Sequence, residues 1–533
     1  MFRKNPVRKK MKLWSTKLKL IVCILTPIIF SPLAASPYKE SKCAYIILWM
    51  AVYWVLEPVH LTVTALMPVP LMPLFGILDA TEVTANYMKE VLMMFLGGLA
   101  VAVAVEHCKL HERIALKVLM LLGSDTKWLM LGFMMTTMFL SMWISNTATT
   151  AMMVPIVNAV MTEIKSCVNP INPSPSEEKS MKQANILHST LLLSIAYSAN
   201  CGGTGTITGT SPNMILKGFI EELFPESSEI TFASWMLYNV PGMVICVTIG
   251  WIILQLIYIP CWRKDSKETK QRIKNVICTR YRELGTITFH EAAVFSLFVI
   301  LVFLWIFREP KFMTGWADIF SSETRIGDAV PVIFILFLLF LLPAEPWRAH
   351  VSRPLLEWSA VQKKLPWGLV ILLGGGFALA RGTQKSGLSK WLGNQLVQLS
   401  FLSPSVVVIL LCASTAILTE IISNSTVATI LLPVVAQMAI AFEVHPLYLM
   451  LPVTIASSYA FMLPVATGPN AIVFDSGHMT TMDMVKPGII MNIICCLIQI
   501  LMINTLGSYM FNLDTFPAWA AKNVSNNSMN ITN

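Results

Sequence analysis

The sequence predicts an all-α, polytopic membrane protein that contains two copies of one unit. Three observations carry the prediction. Of 533 residues 55% are hydrophobic and 13% charged, against roughly 25% charged in ordinary soluble domains. Apolar stretches recur along the whole chain. A short polar motif occurs twice at a fixed offset inside apolar surroundings.

The apolar stretches include 20–33, 236–259, 292–307, 329–342, 406–422 and 489–506. About 20 such residues cross a hydrocarbon core, and the shorter stretches need tilt or flanking residues to do so. The pattern predicts roughly ten to twelve spans. Backbone groups in lipid must be satisfied within the protein, so the spans form a helical bundle.

The repeated motif is Ser145-Asn146-Thr147, opening SNTATTAMMVPIV, and Ser423-Asn424-Ser425, opening SNSTVATILLPVV. The offset of 278 residues (145 to 423) also carries Pro155 onto Pro433, Gly97-Gly98 onto Gly375-Gly376, and Leu110 onto Leu388. Each copy leads to a second polar loop, GGTGTITGTSPN ending at Asn213 and LPVATGPN ending at Asn470. Small, oxygen-rich, helix-broken segments at matched places are the pattern of a transporter with internal repeats.

The chemistry suits a cation and an anion held at mid-membrane. A sodium ion stripped of water needs several oxygens, which freed backbone carbonyls and Ser, Thr and Asn side chains supply. An anion needs N–H groups and the positive ends of half-helices. Gly209 and Gly468 allow close backbone approach, and Pro155, Pro212, Pro433 and Pro469 interrupt helical hydrogen bonding.

The net charge of +9 does not point to nucleic acid. The basic residues gather beside apolar stretches, in Arg3-Lys4, Arg8-Lys9-Lys10, Lys12, Lys17 and the segment 261–283, and by the positive-inside rule these face the cytoplasm. The sequons at Asn523, Asn526 and Asn530 predict a glycosylated, extracellular C-terminal tail. The first 36 residues imitate a secretory signal, but with many spans following, an uncleaved first span is expected. The eleven cysteines show no C-x-x-C pair and no disulfide or zinc frame.

Enzyme motifs fail on inspection. His107 and His111 stand four apart in HCKLH, without the Glu after the first His that a zinc hydrolase needs. GGTGTITGT lacks the Gly-Lys-Ser/Thr of a phosphate loop and follows no strand. The expectation is a protein that is no enzyme and holds no organic cofactor.

The chain resembles the divalent-anion/sodium symporters, which carry dicarboxylates, citrate or sulfate. The resemblance runs from CAYIILWMAVYWVLEPVHLTVTALMP at Cys43 through the last span. It is strong in FLSMWISNTATTAMMVPI, GGTGTITGTSPN, LLGGGFALARG and PNAIVFDSGHMTTMDMVKPG, and looks like an animal member, of insect type. It implies a plasma-membrane homodimer with eleven spans and two re-entrant hairpins in inverted repeats, working as an elevator. The scaffold would be 1–90 and 223–365, the transport part 91–222 and 366–513, with the tail 514–533 outside.

Carried over by the resemblance, a first sodium site uses Ser141, Ser145, Asn146 and the backbone at Gly209. A second uses Thr419, Ser423, Asn424 and the backbone at Ala466. Substrate carboxylates meet Asn146, Thr147 and Thr210 from one half, and Asn424, Ser425, Thr467 and Gly468 from the other. Gly468-Pro469 stands where the family usually has two prolines, and Ser425 where it tends to have valine or proline. Glu57-Pro58-Val59-His60 replaces a usual Glu-Ala-Leu-Pro.

The function implied is sodium-coupled import of a small divalent or trivalent organic anion, succinate or citrate in type. Sulfate transport and sodium-independent dicarboxylate exchange are the alternatives on this fold; a channel is disfavoured, since no filter sequence is present. Two charges within apolar stretches need a reason. Arg381 either attracts the anion or reaches the cytoplasmic interface, and Glu420, beside Thr419, is expected to have a structural partner. Asn200 and Asn213 lie near the first loop, so substituting them is expected to serve as a neutral control for general damage to the fold.

Overall fold

The computed structural model describes residues 6–123, 125–165, 175–258, 267–310, 313–320, 326–347, 353–396, 402–477 and 479–521. Asn523, Asn526 and Asn530 lie outside these residues. Among the described residues the regular structure is helical, and the β pairing is one isolated bridge, Pro343 to Pro354.

Among the described residues five helices are long and apolar enough to cross a membrane: Ala80–His107, Phe232–Tyr258, Phe289–Ile306, Asn424–Ala441 and Thr481–Phe511. Trp358–Lys364 and Trp367–Ser386 make a sixth as a pair bent by 63°. Other apolar helices, such as Pro404–Thr419 and Pro446–Ala456, are shorter. At 1.5 Å per residue the first of these covers about 24 Å, less than a hydrocarbon core of about 30 Å. It stops short because it ends at the second Ser-Asn tip.

The two repeats are six helices each. The first has α1 (Glu90–His107), α2 (Leu110–Leu122), α3 (Thr126–Ser141), α4 (Asn146–Lys165), α5 (Pro175–Gly202) and α6 (Ser211–Leu223). The second has α7 (Trp367–Ser386), α8 (Leu388–Leu396), α9 (Pro404–Thr419), α10 (Asn424–Ala441), α11 (Pro446–Ala456) and α12 (Gly468–Gly477). The starts of α2, α3 and α4 fall 278 residues before those of α8, α9 and α10. The start of α6 precedes that of α12 by only 257 (211 to 468), since α5 has 28 residues and α11 has 11.

The copies agree even in backbone detail. Between α1 and α2 Lys109 is left-handed with φ 58°, and at the matched position Gly387 has φ 83°. Glycine enters that region freely, while a residue with a Cβ is strained by roughly 1–2 kcal/mol. Lys109→Gly should therefore stabilise the protein by about 1 kcal/mol. A thermal unfolding scan of the purified protein in detergent checks this, and an unchanged or lower midpoint contradicts it.

Packing brings the copies together crosswise. Within each copy α3 lies on α5, and α9 on α11. Between copies α4 lies on α12, and α6 on α10. The exchange is reciprocal, as a two-fold relation requires.

Helices outside the repeats brace this pair. Phe232–Tyr258 packs on α5 and on Thr481–Met502, and Ala329–Leu341 on α1. A buried ion cluster joins α6 to the segment between the repeats: Lys217 Nζ lies 2.6 Å from Asp328 Oδ2, and Arg308 Nε 2.7 Å from Asp328 Oδ1. Lys217 also lies 3.5 Å from Glu221 and Arg308 3.6 Å from Glu309, so both cations have carboxylate partners, which burial demands. The basic helix Lys267–Glu283 ties down the first tip hairpin, with Lys270 2.7 Å from Asp125 and Arg272 3.7 Å from Glu163. Arg381 is exposed and lies 3.9 Å from Glu222, which also binds Lys89.

Candidate functional site

Each tip is a break between two helices, closed by the same bonds. α3 ends at Ser141 and α4 begins at Asn146. The Ser141 hydroxyl lies 2.6 Å from Asn146 Oδ1 and 2.9 Å from the Ala199 carbonyl of α5. In the second copy the Thr419 hydroxyl lies 2.8 Å from Asn424 Oδ1 and 2.6 Å from the Ser457 carbonyl. One hydroxyl proton is shared between two acceptors, so each tip gathers three oxygens around a single proton. Such surroundings suit a desolvated cation.

Each second loop is braced by its terminal asparagine. Asn213 Nδ2 donates to the carbonyls of Gly203 at 2.9 Å and Thr206 at 2.7 Å. Asn470 Nδ2 donates to those of Ala460 and Leu463, both at 3.0 Å. All three matched pairs are 257 residues apart. At Gly209 a Cβ would strike the Gly203 carbonyl and lie 3.0 Å from that of Met142, so glycine is what lets the first loop press on the first tip.

The tips then meet the opposite loops at matched positions. A Cβ on Gly468 would strike the Thr147 side chain, so the first tip touches the start of α12. Ser425 of the second tip is hydrogen-bonded to Ser211 at the start of α6. Thr147 and Ser425 are a matched pair, as are Ser211 and Gly468. The helix N-termini at Asn146, Ser211, Asn424 and Gly468 thus converge in two crosswise pairs, each carrying the partial positive charge that favours an anion.

The expected residues differ in exposure. Ser145 and Thr147 are exposed, Asn146, Thr210, Ser423, Asn424, Ala466, Thr467 and Gly468 are half-buried, and Ser141, Gly209, Thr419 and Ser425 are buried. Ser145 and Ser423 act as helix caps, accepting from the backbone N–H of Ala148 and Thr426, each at 3.3 Å. Ser423 and Ala466 line one cavity of about 370 Å³, walled by Trp54, Leu56, Glu57 and Ile422. Ser425 differs from Thr147, since its hydroxyl is already engaged by Ser211.

Three residues have larger roles than the sequence suggested. Asn200 is no neutral neighbour of its own loop: its Nδ2 donates across to the Ala460 carbonyl at 3.0 Å, and lies 3.3 Å from both Thr467 Oγ1 and Asn470 Oδ1. Asn213 is the brace of the first loop and likewise no neutral control. Glu420 is buried and accepts from the backbone N–H groups of Phe461 at 2.7 Å, Met462 at 3.0 Å and Leu463 at 3.0 Å, and from Asn492 Nδ2 at 2.8 Å. Its partner is the second loop itself. His107 and His111, weighed as metal ligands, lie elsewhere: His111 Nδ1 bonds the Val105 carbonyl, and the His107 ring lies 6.1 Å from that of His290, tilted by 54°.

Two solved structures share the fold. The YdaH transporter of Alcanivorax borkumensis superposes with a TM-score of 0.56 at 12% identity, covering 84% of this chain and 98% of that one. MtrF of Neisseria gonorrhoeae, from a class of antimetabolite efflux pumps, gives 0.53 at 12% identity, covering 89% and 96%. This chain shares its fold with both. Sequence narrows this further. The pattern of the sodium:sulfate symporter transmembrane region matches residues 11–513. The chain is 40% identical to the Na(+)/citrate cotransporter of Mus musculus, over 95% of this chain and 97% of that one. It is 42% identical to solute carrier family 13 member 2 of Homo sapiens, over 96% of each. With the Na(+)/dicarboxylate cotransporter 3 of Homo sapiens it shares 39% identity, over 96% and 95%. The chain belongs to the sodium:sulfate symporter family.

Proposed function

We propose that this protein is a secondary active transporter importing di- and tricarboxylates, succinate or citrate in type, by symport with sodium. The observation that carries the reading is the crosswise pairing of two oxygen-rich tips with two glycine-containing loops, Thr147 on Gly468 and Ser425 on Ser211. Sodium ions bind at the paired sets, Ser141, Ser145, Asn146 and Gly209 in one and Thr419, Ser423, Asn424 and Ala466 in the other. They make the cavity favourable for the anion, which then binds Asn146, Thr147, Thr210, Asn424, Thr467 and Gly468. Ser425 joins them once released from Ser211. The similarity to citrate and dicarboxylate cotransporters supports carboxylates over sulfate.

The working cycle is an elevator in a homodimer in the plasma membrane. Residues 91–222 and 366–513 move as the transport part, as inverted repeats, against a scaffold of 1–90 and 223–365. The contacts of the basic helix Lys267–Glu283 with Asp125 and Glu163 support a cytoplasmic opening for the first hairpin. The N-terminus is then cytoplasmic and the C-terminal tail outside.

Uptake of labelled succinate into vesicles, with sodium replaced by choline, tests the coupling. Uptake should collapse, and undiminished uptake would point to the exchanger. Citrate should compete with the label; sulfate competing where citrate does not would overturn the substrate class.

A further inference from the structure

The two crosswise contacts of the site are not chemically alike. Where the first tip meets the second loop, Thr147 lies against Gly468, which has no side chain. Where the second tip meets the first loop, the hydroxyls of Ser425 and Ser211 are hydrogen-bonded to each other, and either can be the donor. Among the described residues neither hydroxyl has another hydrogen-bond partner. Ser425 is buried and Ser211 half-buried. Ser211 is the first residue of α6 and follows Thr210, while Ser425 lies in the first turn of α10 and follows Asn424. The first loop thus adds a hydroxyl beside residues that the reading above gives to the substrate.

Proton counting gives this pair a direction. Two hydroxyls carry two protons, and one of them lies in the bond between the serines. A carboxylate only accepts. Released from donating to Ser211, Ser425 turns its proton to a carboxylate, and Ser211 must then be the donor within the pair. The Ser211 oxygen keeps lone pairs that no donor among the described residues fills, and an unfilled acceptor away from water is costly. A carboxylate has no proton to offer it, whereas a hydroxyl on the substrate does. The amides of Asn146 and Asn424 cannot take this part, since their oxygens are held by the Ser141 and Thr419 hydroxyls. Resting on the carboxylate reading above, we propose that Ser211 is a specificity-determining residue that accepts a hydrogen bond from a substrate hydroxyl. The site then favours hydroxylated di- and tricarboxylates over the same acids without the hydroxyl.

The test compares acids that differ by one hydroxyl: labelled malate with labelled succinate in uptake, and citrate with tricarballylate as competitors. Wild type should prefer the hydroxylated member of each pair. Ser211→Ala should lower the malate-to-succinate ratio of kcat/KM by about fivefold, the worth of one net hydrogen bond. The advantage of citrate over tricarballylate should shrink in the same proportion. Ser211→Thr keeps a hydroxyl and should keep the ratio. Equal handling of malate and succinate by wild type overturns the proposal, as does an unchanged ratio in active S211A. A parallel fall for both substrates, up to loss of all uptake, also overturns it, because the pair then supports the site without reading a hydroxyl. Wild type separates the two levels: uptake of neither succinate nor citrate sinks the carboxylate reading, whereas normal succinate uptake with an unaltered S211A ratio sinks this assignment alone.

Discussion

Replacing Asn146 or Asn424 by aspartate should abolish sodium-driven succinate uptake while leaving the protein at the cell surface. Both amides are held through their oxygen, Asn146 by the Ser141 hydroxyl at 2.6 Å and Asn424 by the Thr419 hydroxyl at 2.8 Å. Aspartate keeps that acceptor, so the local turn survives. What changes is the amide nitrogen, which can donate to a carboxylate and is replaced by a second, charged oxygen. At about 4 Å and an effective dielectric of about 20, repulsion between two unit charges is about 4 kcal/mol. That is nearly three decades in substrate affinity at roughly 1.4 kcal/mol per decade. Surface biotinylation alongside uptake checks the result. Near-normal transport by either variant would refute the two-tip site.

The repeat was legible because the helix breaks carry distinctive residues. Ser145-Asn146 and Ser423-Asn424 mark the starts of α4 and α10, and the gapless offset reaches back to Lys109 and Gly387. It fails beyond α4, where α5 is much longer than α11, so loop residues cannot be aligned by counting from the tips. Asn213 and Asn470 were visible as loop ends, but their identical bracing needed the three-dimensional register. The crosswise contacts were hidden, because a sequence does not say whether a loop packs on its own copy or on the other. Asn200 was misjudged for that reason: near the first loop in sequence, it acts on the second. Ser425 reads as a substrate hydroxyl until Ser211, a loop residue 214 positions away, proves to be bonded to it. Glu420 reads in the sequence as a charge with a structural partner, and three consecutive backbone N–H groups supply it.

Glu420→Ala is expected to eliminate uptake, and Glu420→Gln to raise the sodium requirement without eliminating it. The carboxylate grips the second loop where it leaves α11, and the Ala466 N–H hydrogen-bonds at 3.2 Å to the carbonyl of Leu463, one of the gripped residues. The first copy has Met142 at the matched position and anchors its loop differently, through the Thr206 hydroxyl on the Met142 carbonyl. No second grip of that kind exists for Phe461, Met462 and Leu463 among the described residues. Alanine would leave the three backbone N–H groups and Asn492 Nδ2 unmatched, at about 1–3 kcal/mol each, a large part of a typical folding stability of about 5–15 kcal/mol. The loop would rearrange rather than bear that cost, taking Ala466 and Thr467 with it. Glutamine is nearly isosteric and keeps one acceptor oxygen, but its N–H₂ faces backbone donors and the charge is lost. Losing one charge-assisted bond of about 1.5–3 kcal/mol should shift sodium half-saturation by roughly tenfold or more at 1.4 kcal/mol per decade. Succinate affinity at saturating sodium should change much less, because Asn424 and the first tip are untouched. Sodium activation curves at fixed succinate, set beside succinate curves at saturating sodium, separate these effects. If Glu420→Gln shows wild-type sodium dependence, the carboxylate does not shape the second cation set.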